Sequence, residues 1–409
     1  MNILSLNCGS SSLKYCLYDL PGMVEKARGE AQRVGPPTER PSRLVHRAGG
    51  RELVREVPMA DHAAAFAEVM KQLAQEPDAL PGAIGHRVVH GGHEFSAPTV
   101  VTLAVMERLW ALKDLAPIHN PPAFRLMDAC MKLHPDLPGV AVFDTAYHAT
   151  IPAAARTLAL PRALTAQLGL RKFGFHGTSH QFVVEEAARL LGRPLAKFNA
   201  VSCHLGSGGA SLCAVAGGRS VDNTMGFSPL QGLVMSTRCG DLDPAVTMRL
   251  LHLHGGQAGP ADRQLNNKSG VLGLSGVSAD IRDVLGRLGD SGAAADPRME
   301  RTAQVYLWRI RKYLGAYLAV VGRADAIVFT DTIGETMPSV RWAVCSGLEA
   351  FGVRLDAARN ENPGPLPADV AAADSRVRVL AIATNEELAI ARRTYEALAA
   401  AAAPAGVAK

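Results

Sequence analysis

A short pattern of strand, glycine-rich turn and second strand occurs twice in this sequence, and this repetition limits the fold more than any other feature. Apolar and alternating runs over residues 3–18 flank the polar turn NCGSSS at 7–12, and the same order returns over residues 200–215. The segments CGSSSLKYCL and LGSGGASLCA match in layout. A repeated layout indicates two similar domains, each of which begins with such a hairpin. Two unrelated hairpins would also produce the pattern, and this alternative stays open here.

Helical and strand-like segments alternate around the hairpins, which is typical of an α/β protein. Apolar spacings of three and four predict helices at 62–75, 179–191 and 299–321, the second of which would begin with Ser179 as N-cap. Apolar runs predict strands at 140–143, which ends before Asp144, and at 326–329. Polar or charged composition predicts irregular surface segments at 22–60 and 254–275 and a frayed tail at 399–409.

The composition is that of a folded soluble protein. Hydrophobic residues make up 48% and charged residues 20% of the 409 residues. No apolar run approaches the roughly 18 residues of a membrane helix, and the N-terminus lacks the pattern of a secretion signal. The net charge of +5 fits small anions and does not indicate nucleic acid. The seven scattered cysteines form no CxxC pair, so we expect reduced thiols and a cytoplasmic protein.

Three small-residue turns are candidates for binding phosphate through backbone N–H groups. They lie at 9–12, at 206–209 and at 332–335 after the strand at 326–330. The sequence contains neither GxxxxGK[ST] nor GxGxxG after a strand, so the two commonest nucleotide-binding loops are absent. Any single turn of this kind is more often an ordinary hairpin turn.

Histidines and arginines supply the other candidate site residues. The runs GHRVVHGGH at 85–93 and HGTSH at 176–180 have spacings found in zinc sites, but structural histidines are the commoner outcome, and the cysteines supply no completing ligands. Arg87 lies among apolar neighbours, where a guanidinium needs an anionic partner such as a carboxylate or phosphate. Arg238 poses the same question, and an ion pair with Asp241 or Asp243 is an equally good interpretation.

A set of short motifs, taken in order, resembles the acetate kinase family of short-chain carboxylate kinases. The similarity extends from residue 2 to about 393, and the motifs are NCGSSSLK at 7–14, HRVVHGG at 86–92, FDTAYH at 143–148, FGFHGTSH at 173–180, HLGSGGAS at 204–211, TRCGDLDPAV at 237–246 and TNEELAIAR at 384–392. Each motif alone is weak, whereas their common order is specific.

This resemblance implies an α/β fold with duplicated ribonuclease H-like (actin-like ATPase) domains and an interdomain active-site cleft. The expected domains are 1–148 with 385–409, and 149–384 as the nucleotide-binding domain. The implied reaction is reversible transfer of a phosphoryl group from ATP to acetate, giving ADP and acetyl phosphate, with Mg²⁺, or Mn²⁺ as an alternative. Also implied are a cytoplasmic homodimer, a role in acetyl-CoA biosynthesis, and no nucleic-acid or membrane partner.

The resemblance also assigns roles to matching positions. Asp144, His176 and Arg238 would be catalytic, Asn7 and Glu386 would hold the metal, and Arg87 would bind substrate. The acyl pocket would consist of Val89, Ile118, Phe175 and Pro229. Nucleotide would contact Lys14, His204, Leu205, Gly206, Ser207, Gly208, Asp280, Ile281, Arg282, Thr332, Ile333, Gly334, Glu335 and Thr336.

Physical chemistry agrees with most of these roles. Acetate is ionised near neutral pH, so its oxygen needs no general base, and catalysis must come from alignment and charge. Arg87, Arg238, His176 and the metal would offset the repulsion between carboxylate and polyphosphate. For Asp144, orienting an arginine or a metal-bound water is as reasonable as a role as base.

Four departures from the family pattern concern the nucleotide, at Ser207, Asp331, Thr332 and Thr336, the last of which replaces an amide that could pair with adenine. Ser207 replaces the usual asparagine of HLGNG, and FTDTIGET at 329–336 stands where FTGGIGEN or FTAGIGEN is usual. Asp331 adds a negative charge, and Thr332 adds a side chain where glycine would allow close approach. We therefore expect weak use of ATP, with GTP or pyrophosphate as alternative donors. The competing function is a non-catalytic clamp gated by nucleotide. Propionate is the expected secondary substrate, because an apolar pocket discriminates only weakly against one added methylene.

Overall fold

The chain divides into two compact units. The computed structural model describes residues 1–36, 38–289 and 296–403. Unit 1 consists of Met1–Tyr147 and the segment that begins at Asn385, and unit 2 consists of His148–Thr384. Of the predicted frayed tail, residues up to Ala402 are helical, and residues 404–409 lie outside the described residues.

Each unit contains one mixed β-sheet. The strands of unit 1 are β1 Asn2–Cys8, β2 Ser12–Asp19, β3 Val24–Gln32, β4 Arg43–Ala48, β5 Arg51–Glu56, β6 Ala83–Val88, β7 Thr99–Val100 and β8 Gly139–Phe143. The strands of unit 2 are β9 Ala200–Leu205, β10 Ala210–Ala216, β11 Arg219–Asn223, β12 Ala326–Thr330, β13 Ala368–Asp369 and β14 Arg378–Ala381.

Helices cover the sheets. They are α1 His62–Leu73, α2 Leu103–Trp110, α3 Asn120–Leu133, α4 Ala153–Arg156, α5 Arg162–Leu168, α6 Gly177–Leu190, α7 Pro244–Leu253, α8 Ala258–Asn267, α9 Gly270–Ser275, α10 Ile281–Gly289, α11 Pro297–Val321, α12 Asp331–Thr336, α13 Pro338–Cys345, α14 Ala357–Glu361 and α15 Glu386–Ala402. Short 3-10 helices lie at Lys113–Leu115, Ala146–Thr150, Leu195–Lys197 and Glu349–Phe351.

The two sheets share a six-strand order, which confirms the duplication that the hairpins indicated. Unit 1 has the order β5-β4-β3-β2-β1-β6-β8-β7, and unit 2 has β11-β10-β9-β12-β14-β13. In each, an antiparallel hairpin (β1–β2 or β9–β10) is followed by two strands that run parallel to its first strand. The carboxyl ends of these parallel strands therefore share one edge of each sheet, where α/β proteins place their ligand-binding side chains.

Helix α15 returns to unit 1 and packs against its parallel strands. A Cβ atom placed on Gly85 of β6 would lie 2.3 Å from Thr394 Oγ1 and 2.7 Å from Ile390 Cγ2, so only glycine allows this approach. Asn385 caps the helix, because its side chain accepts from Leu388 N at 2.9 Å. The first residue of α15, Glu386, is thereby held close to β1 and β6.

The prediction of irregular structure for residues 22–60 is wrong. Strands β3, β4 and β5 lie in this segment and extend the sheet of unit 1. The alternation of buried and exposed residues is hard to recognise in this segment, because the solvent face is charged and the buried positions of β3 include the small residues Ala27 and Ala31. Every residue of β5 is exposed, as an outer strand allows.

Three local expectations in unit 2 also require correction. Segment 254–275 contains helices α8 and α9. The third candidate turn is the short helix α12. Helix α6 begins at Gly177, with His176 in a left-handed conformation (φ 59°) as its N-cap. Ser179 therefore lies inside the helix, where its hydroxyl contacts His204 Nδ1 at 2.9 Å and Thr384 Oγ1 at 2.8 Å instead of capping.

Candidate active site

Four predicted site residues of unit 1 meet at the carboxyl edge of its sheet. Arg87 of β6 donates to Asp144 Oδ2 from Nε at 3.0 Å and from Nη2 at 2.7 Å. Its Nη1 donates to Asn7 Oδ1 of β1 at 3.1 Å. Glu386 Oε2 lies 3.4 Å from both Arg87 Nη1 and Asn7 Nδ2. Asp144 follows β8 directly, so three neighbouring parallel strands and α15 together build this cluster.

The charge of Arg87 is matched by the protein itself. Burial opposes this charge, but the carboxylates of Asp144 and Glu386 outweigh burial and raise the pKa of Arg87. Asp144 is only 1% exposed, while the arginine side chain retains 20%. The anionic partner that Arg87 requires is thus Asp144, bound through two guanidinium nitrogens, and the carboxylate orients the arginine.

Asn7 and Glu386 have the donor chemistry of a magnesium site. Amide and carboxylate oxygens are hard ligands, and Mg²⁺ is commonly held by one or two protein oxygens together with water and substrate phosphates. No group of three or more His, Cys, Asp and Glu side chains in the described part of the chain is arranged to hold a metal ion. The residues therefore fit a magnesium ion that arrives with a polyphosphate better than a closed protein site.

The other predicted residues of unit 1 are Lys14, Val89 and Ile118. Lys14 pairs with Asn7 across the β1–β2 ladder. It lines a polar cavity of about 330 Å³ together with the charged residues Arg28, Arg47 and Glu387. Val89 is half-buried just after β6, whereas Ile118 is 64% exposed.

A chain of buried hydrogen bonds fixes the histidines of unit 2. His176 Nδ1 lies 2.8 Å from Ser211 Oγ, and the same hydroxyl lies 2.8 Å from His180 Nε2. His180 Nδ1 is 2.9 Å from Ser202 Oγ, and burial lowers the pKa of His180 well below its ordinary value. Neutral His180 and Ser211 therefore hold the ring of His176. That ring stacks on His204 with centroids 4.3 Å apart.

Arg238 and His176 face the same glycine. A Cβ atom on Gly209, in the β9–β10 turn, would lie 3.4 Å from His176 Nε2 and 3.7 Å from Arg238 Nη1. Arg238 Nη1 donates to the carbonyl of Pro229 at 3.1 Å, which links one predicted acyl-pocket residue to it. Phe175, another predicted pocket residue, is 2% exposed and directly precedes His176. Unit 2 thus brings its two predicted catalytic residues, His176 and Arg238, to the glycine turn.

Arg238 has no ion pair with a carboxylate among the described residues. Asp241 accepts from Tyr313 OH at 2.5 Å and from Gly232 N at 3.0 Å, and Asp243 caps α7 by accepting from Ala245 N at 2.8 Å. The two partners that the sequence offered are therefore engaged elsewhere. Burial lowers the pKa of Arg238, because no neighbouring carboxylate compensates for lost hydration.

Segments 204–208 and 332–336 lie side by side because β9 and β12 are parallel neighbours. His204 Nε2 lies 3.0 Å from Asp331 Oδ2, and Ser207 N donates to Thr332 Oγ1 at 2.9 Å. Glu335 Oε1 accepts from Asp331 N at 2.7 Å and from Thr384 N at 2.9 Å. The predicted nucleotide segments around β9 and β12 are therefore joined by direct hydrogen bonds.

The third predicted nucleotide segment begins α10. Asp280 and Arg282 bind each other through Arg282 Nε, 3.0 Å from both carboxylate oxygens, and this hydrogen bond lowers the pKa of Asp280. Burial and the charges of Asp280 and Asp331 raise the pKa of Tyr306. The Tyr306 hydroxyl is buried with no hydrogen-bond partner among the described residues. A polar group of this kind suits a polar ligand.

Sequence reasoning missed the residues that orient the catalytic candidates. Ser211 holds His176, and Arg309 supports the Arg238 loop by donating to the carbonyl of Gly232 at 2.8 Å. One signal was present for Ser211, since it interrupts an apolar strand with a buried hydroxyl. Arg309 lies in a helix with many charged residues, and its sequence neighbourhood gives no such signal.

The fold defines the class of protein. Two α/β units with the same six-strand order form the two-domain fold of the actin-like ATPase class. No helix in the described ranges 1–36, 38–289 and 296–403 is long and apolar enough to cross a bilayer.

Comparison with known proteins identifies the family. The model of the acetokinase family matches residues 2–392. An acetate kinase of Heliobacterium modesticaldum is 45% identical over 405 residues, covering 97% of this chain and 100% of that relative. An acetate kinase of Dictyoglomus thermophilum is 42% identical over 401 residues, covering 96% and 98%.

Solved structures agree with the sequence relatives. The acetate kinase of Porphyromonas gingivalis has a TM-score of 0.89 at 36% identity, and it covers 97% of this chain and 99% of its own. A propionate kinase of Francisella tularensis has a TM-score of 0.87 at 34% identity with the same coverages. The chain belongs to the acetokinase family, a family of carboxyl-group phosphotransferases.

Proposed function

We propose that this chain catalyses reversible, Mg²⁺-dependent phosphoryl transfer between ATP and acetate, giving ADP and acetyl phosphate. The observation that carries the proposal is its similarity, at 45% identity over 405 residues, to a relative named acetate kinase. Nothing in the comparisons supports a non-catalytic clamp or a different phosphoryl donor. Propionate is the proposed secondary substrate, because a pocket of apolar side chains distinguishes one methylene by only about 1–3 kcal/mol.

The proposed mechanism depends on charge and alignment. Acetate attacks as the carboxylate, since its pKa lies far below 7. The phosphoryl group carries negative charge throughout the transfer, and its equatorial oxygens gain most from fixed cations. Arg238 suits this role because no carboxylate of the described residues neutralises it. His176 contributes a hydrogen bond from Nε2, provided that Ser211 donates to its Nδ1.

Arg87 and Asp144 act as one unit in this proposal. Two guanidinium nitrogens are bound by Asp144, and Nη1 is directed toward Asn7 and Glu386. We assign substrate binding to Arg87 and catalysis to Asp144, whose geometry supports a role in orienting the arginine. The acyl group would contact Val89, Ile118, Phe175 and Pro229.

Mg²⁺ would be held by the oxygens of Asn7 and Glu386, with Mn²⁺ as an alternative. Bound there, the ion would neutralise the charge of the nucleotide phosphates. Asn7 Nδ2 lies 3.4 Å from Glu386 Oε2, and Asn7 Oδ1 accepts from Arg87 Nη1, so an ion bound by both oxygens would take the Asn7 oxygen from Arg87. Lys14 would bind phosphate beside this pair.

Nucleotide would lie along 204–208, 280–282 and 332–336. The hydrogen bonds that join 204–207 to 331–332 support this assignment. The hydroxyl of Tyr306 supports it as well, because it has no hydrogen-bond partner in the described part of the chain and the charges of Asp280 and Asp331 raise its pKa.

We further propose a cytoplasmic homodimer. Large apolar side chains are exposed on α7 and α11, where Met248 is 64%, Leu253 74% and Trp308 70% exposed, and a second copy would cover them. All seven cysteines are free thiols, which fits a reducing compartment. A role in acetyl-CoA biosynthesis would follow from the product, acetyl phosphate.

The test is a matrix of phosphoryl donors against acyl acceptors, read by trapping the acyl phosphate with hydroxylamine. We expect product with ATP and acetate, a lower rate with propionate, and at least roughly a hundredfold loss of rate in Arg238→Ala. Absence of acyl hydroxamate with every donor would refute the function. Equal product in Arg238→Ala would remove the assigned role of that arginine.

A further inference from the structure

The β9–β10 turn is occupied by a carboxylate of the protein itself. Asp331 Oδ2 lies 3.0 Å from His204 Nε2. A Cβ atom placed on Gly206 would be 2.4 Å from the same oxygen, so the carboxylate lies directly against the backbone of the turn. A side chain at position 206 would leave no room for it.

The neighbouring residue uses a backbone donor of the same turn. Thr332 Oγ1 accepts from Ser207 N at 2.9 Å, and Thr332 N donates to Asp331 Oδ1 at 2.5 Å. Two backbone N–H groups and one imidazole nitrogen are therefore bound by three oxygens of Asp331 and Thr332. Acceptor oxygens with a negative charge, set against N–H donors, are the chemistry that a phosphate group would present at this place.

The arrangement is held at a cost in backbone conformation. Asp331 has φ 63°, in the left-handed region that favours glycine. Burial opposes its ionisation, but the hydrogen bond and charge of His204 outweigh burial and hold the pKa of Asp331 at about 2. The carboxylate is therefore negative near neutral pH, and an incoming phosphate would meet both its charge and its bulk.

We infer that Asp331 and Thr332 act as an internal phosphate mimic, which the nucleotide phosphates must displace, and that they thereby weaken the binding of ADP and ATP to this chain. The inference rests on the proposed function, because it uses the assignment of nucleotide to 204–208 and 332–336. It makes residues 331 and 332 determinants of nucleotide affinity rather than catalytic residues.

Two other roles for Asp331 predict different behaviour. A carboxylate that only stabilises the fold would leave the ADP affinity unchanged when replaced. If the carboxylate instead binds the magnesium of Mg·ADP, replacing Asp331 would weaken ADP binding, and the loss would be larger with Mg²⁺ than without it. Of these three roles, only an internal mimic makes binding tighter after its removal.

The experiment is calorimetric titration of the full chain with ADP, with and without Mg²⁺. We expect Asp331→Gly to lower the Kd by at least about tenfold in both conditions, since a charged competitor is removed. Asp331→Asn, which tolerates the same φ, should give a smaller gain. Thr332→Val, which keeps the shape but not the hydroxyl, should lower the Kd by about threefold. Thr332→Ser retains the acceptor and should behave as the wild type.

The controls keep the inference separate from the proposed function. Glycine suits φ 63° at position 331, so Asp331→Gly should melt at or above the wild-type temperature. Thr332→Val provides an independent test should that variant not fold. If Asp331→Gly folds, unchanged or weaker ADP binding in that variant overturns the inference. If it does not fold, the same result in Thr332→Val overturns the inference. Failure of the wild type to form acetyl hydroxamate would instead refute the function, and tighter ADP binding in the variants would still support the mimic.

Discussion

Arg87 in unit 1 and Arg238 in unit 2 are both largely buried, but they differ in how their charge is compensated. Arg87 is bound by Asp144 through two nitrogens and lies 3.4 Å from Glu386, and its pKa is raised. Arg238 donates to the carbonyl of Pro229, and burial lowers its pKa. A paired arginine serves as a rigid, oriented part of its unit, whereas an uncompensated one can bind an anion that arrives later. The difference fits the proposed roles, in which Arg87 is oriented by Asp144 to bind substrate and Arg238 stabilises the charge of the transferred phosphoryl group.

The largest expected effect concerns stability and separates the two arginines. Arg87→Met should lower the free energy of unfolding by about 3–5 kcal/mol, because Asp144, at 1% exposure, would lose the cation that neutralises it. Arg238→Met, the matched control, should change it by less than about 1 kcal/mol, since no buried carboxylate is left behind. Urea unfolding at equilibrium measures both. Equal losses would show that the two arginines do not differ in the way described.

Acid should destabilise both units through buried neutral histidines. Burial lowers the pKa of His86 to about 3 and that of His180 well below its ordinary value. The unfolded chain takes up these protons near the ordinary pKa of about 6.5, so this stability is present above about pH 6.5 and is lost as the pH falls.

Each histidine should contribute a slope of up to about 1.4 kcal/mol per pH unit below that point. The variant His86→Leu should show a smaller slope than the wild type, measured by urea unfolding at a series of pH values. An unchanged slope would mean that His86 is protonated or exposed in the native protein.

The serine between His176 and His180 should affect catalysis more than stability. In Ser211→Ala the contact to His176 Nδ1 at 2.8 Å is lost, so we expect kcat to fall by about tenfold and the pH profile of kcat to move. Ser202→Ala is the control, because that hydroxyl contacts His180 and neither His176 nor His204. An effect of the same size in both variants, with no movement of the pH profile, would indicate general loosening rather than positioning of His176.

The sequence predicted elements where apolar spacing and burial agree. Both hairpins, the strand before Asp144 and the helix at 297–321 follow this rule. Strands β3 to β5 were not predicted, because their outer faces carry charges and β5 has no buried residue. The start of α6 was misplaced, since His176 in a left-handed conformation, not a serine cap, begins it.

The candidate site was predictable only in part. The apolar surroundings of Arg87 predicted the need for an anion, but its bidentate contact with Asp144 depends on the pairing of β6 with β8. Asp331 was visible as an unusual charge, whereas its contact with His204 exists only because β9 and β12 are neighbours. Local pattern cannot supply such pairings, which arise from chain topology.

We propose that phosphoryl transfer depends on Arg238, the cation that no carboxylate of the described residues compensates. The most direct test is kcat for acetyl phosphate formation by Arg238→Met, measured on the sample whose unfolding curve is recorded. We predict a loss of at least about a hundredfold, equivalent to about 3 kcal/mol, in a protein as stable as the wild type. A kcat within a few-fold of the wild-type value in that folded variant would show that transfer does not depend on Arg238.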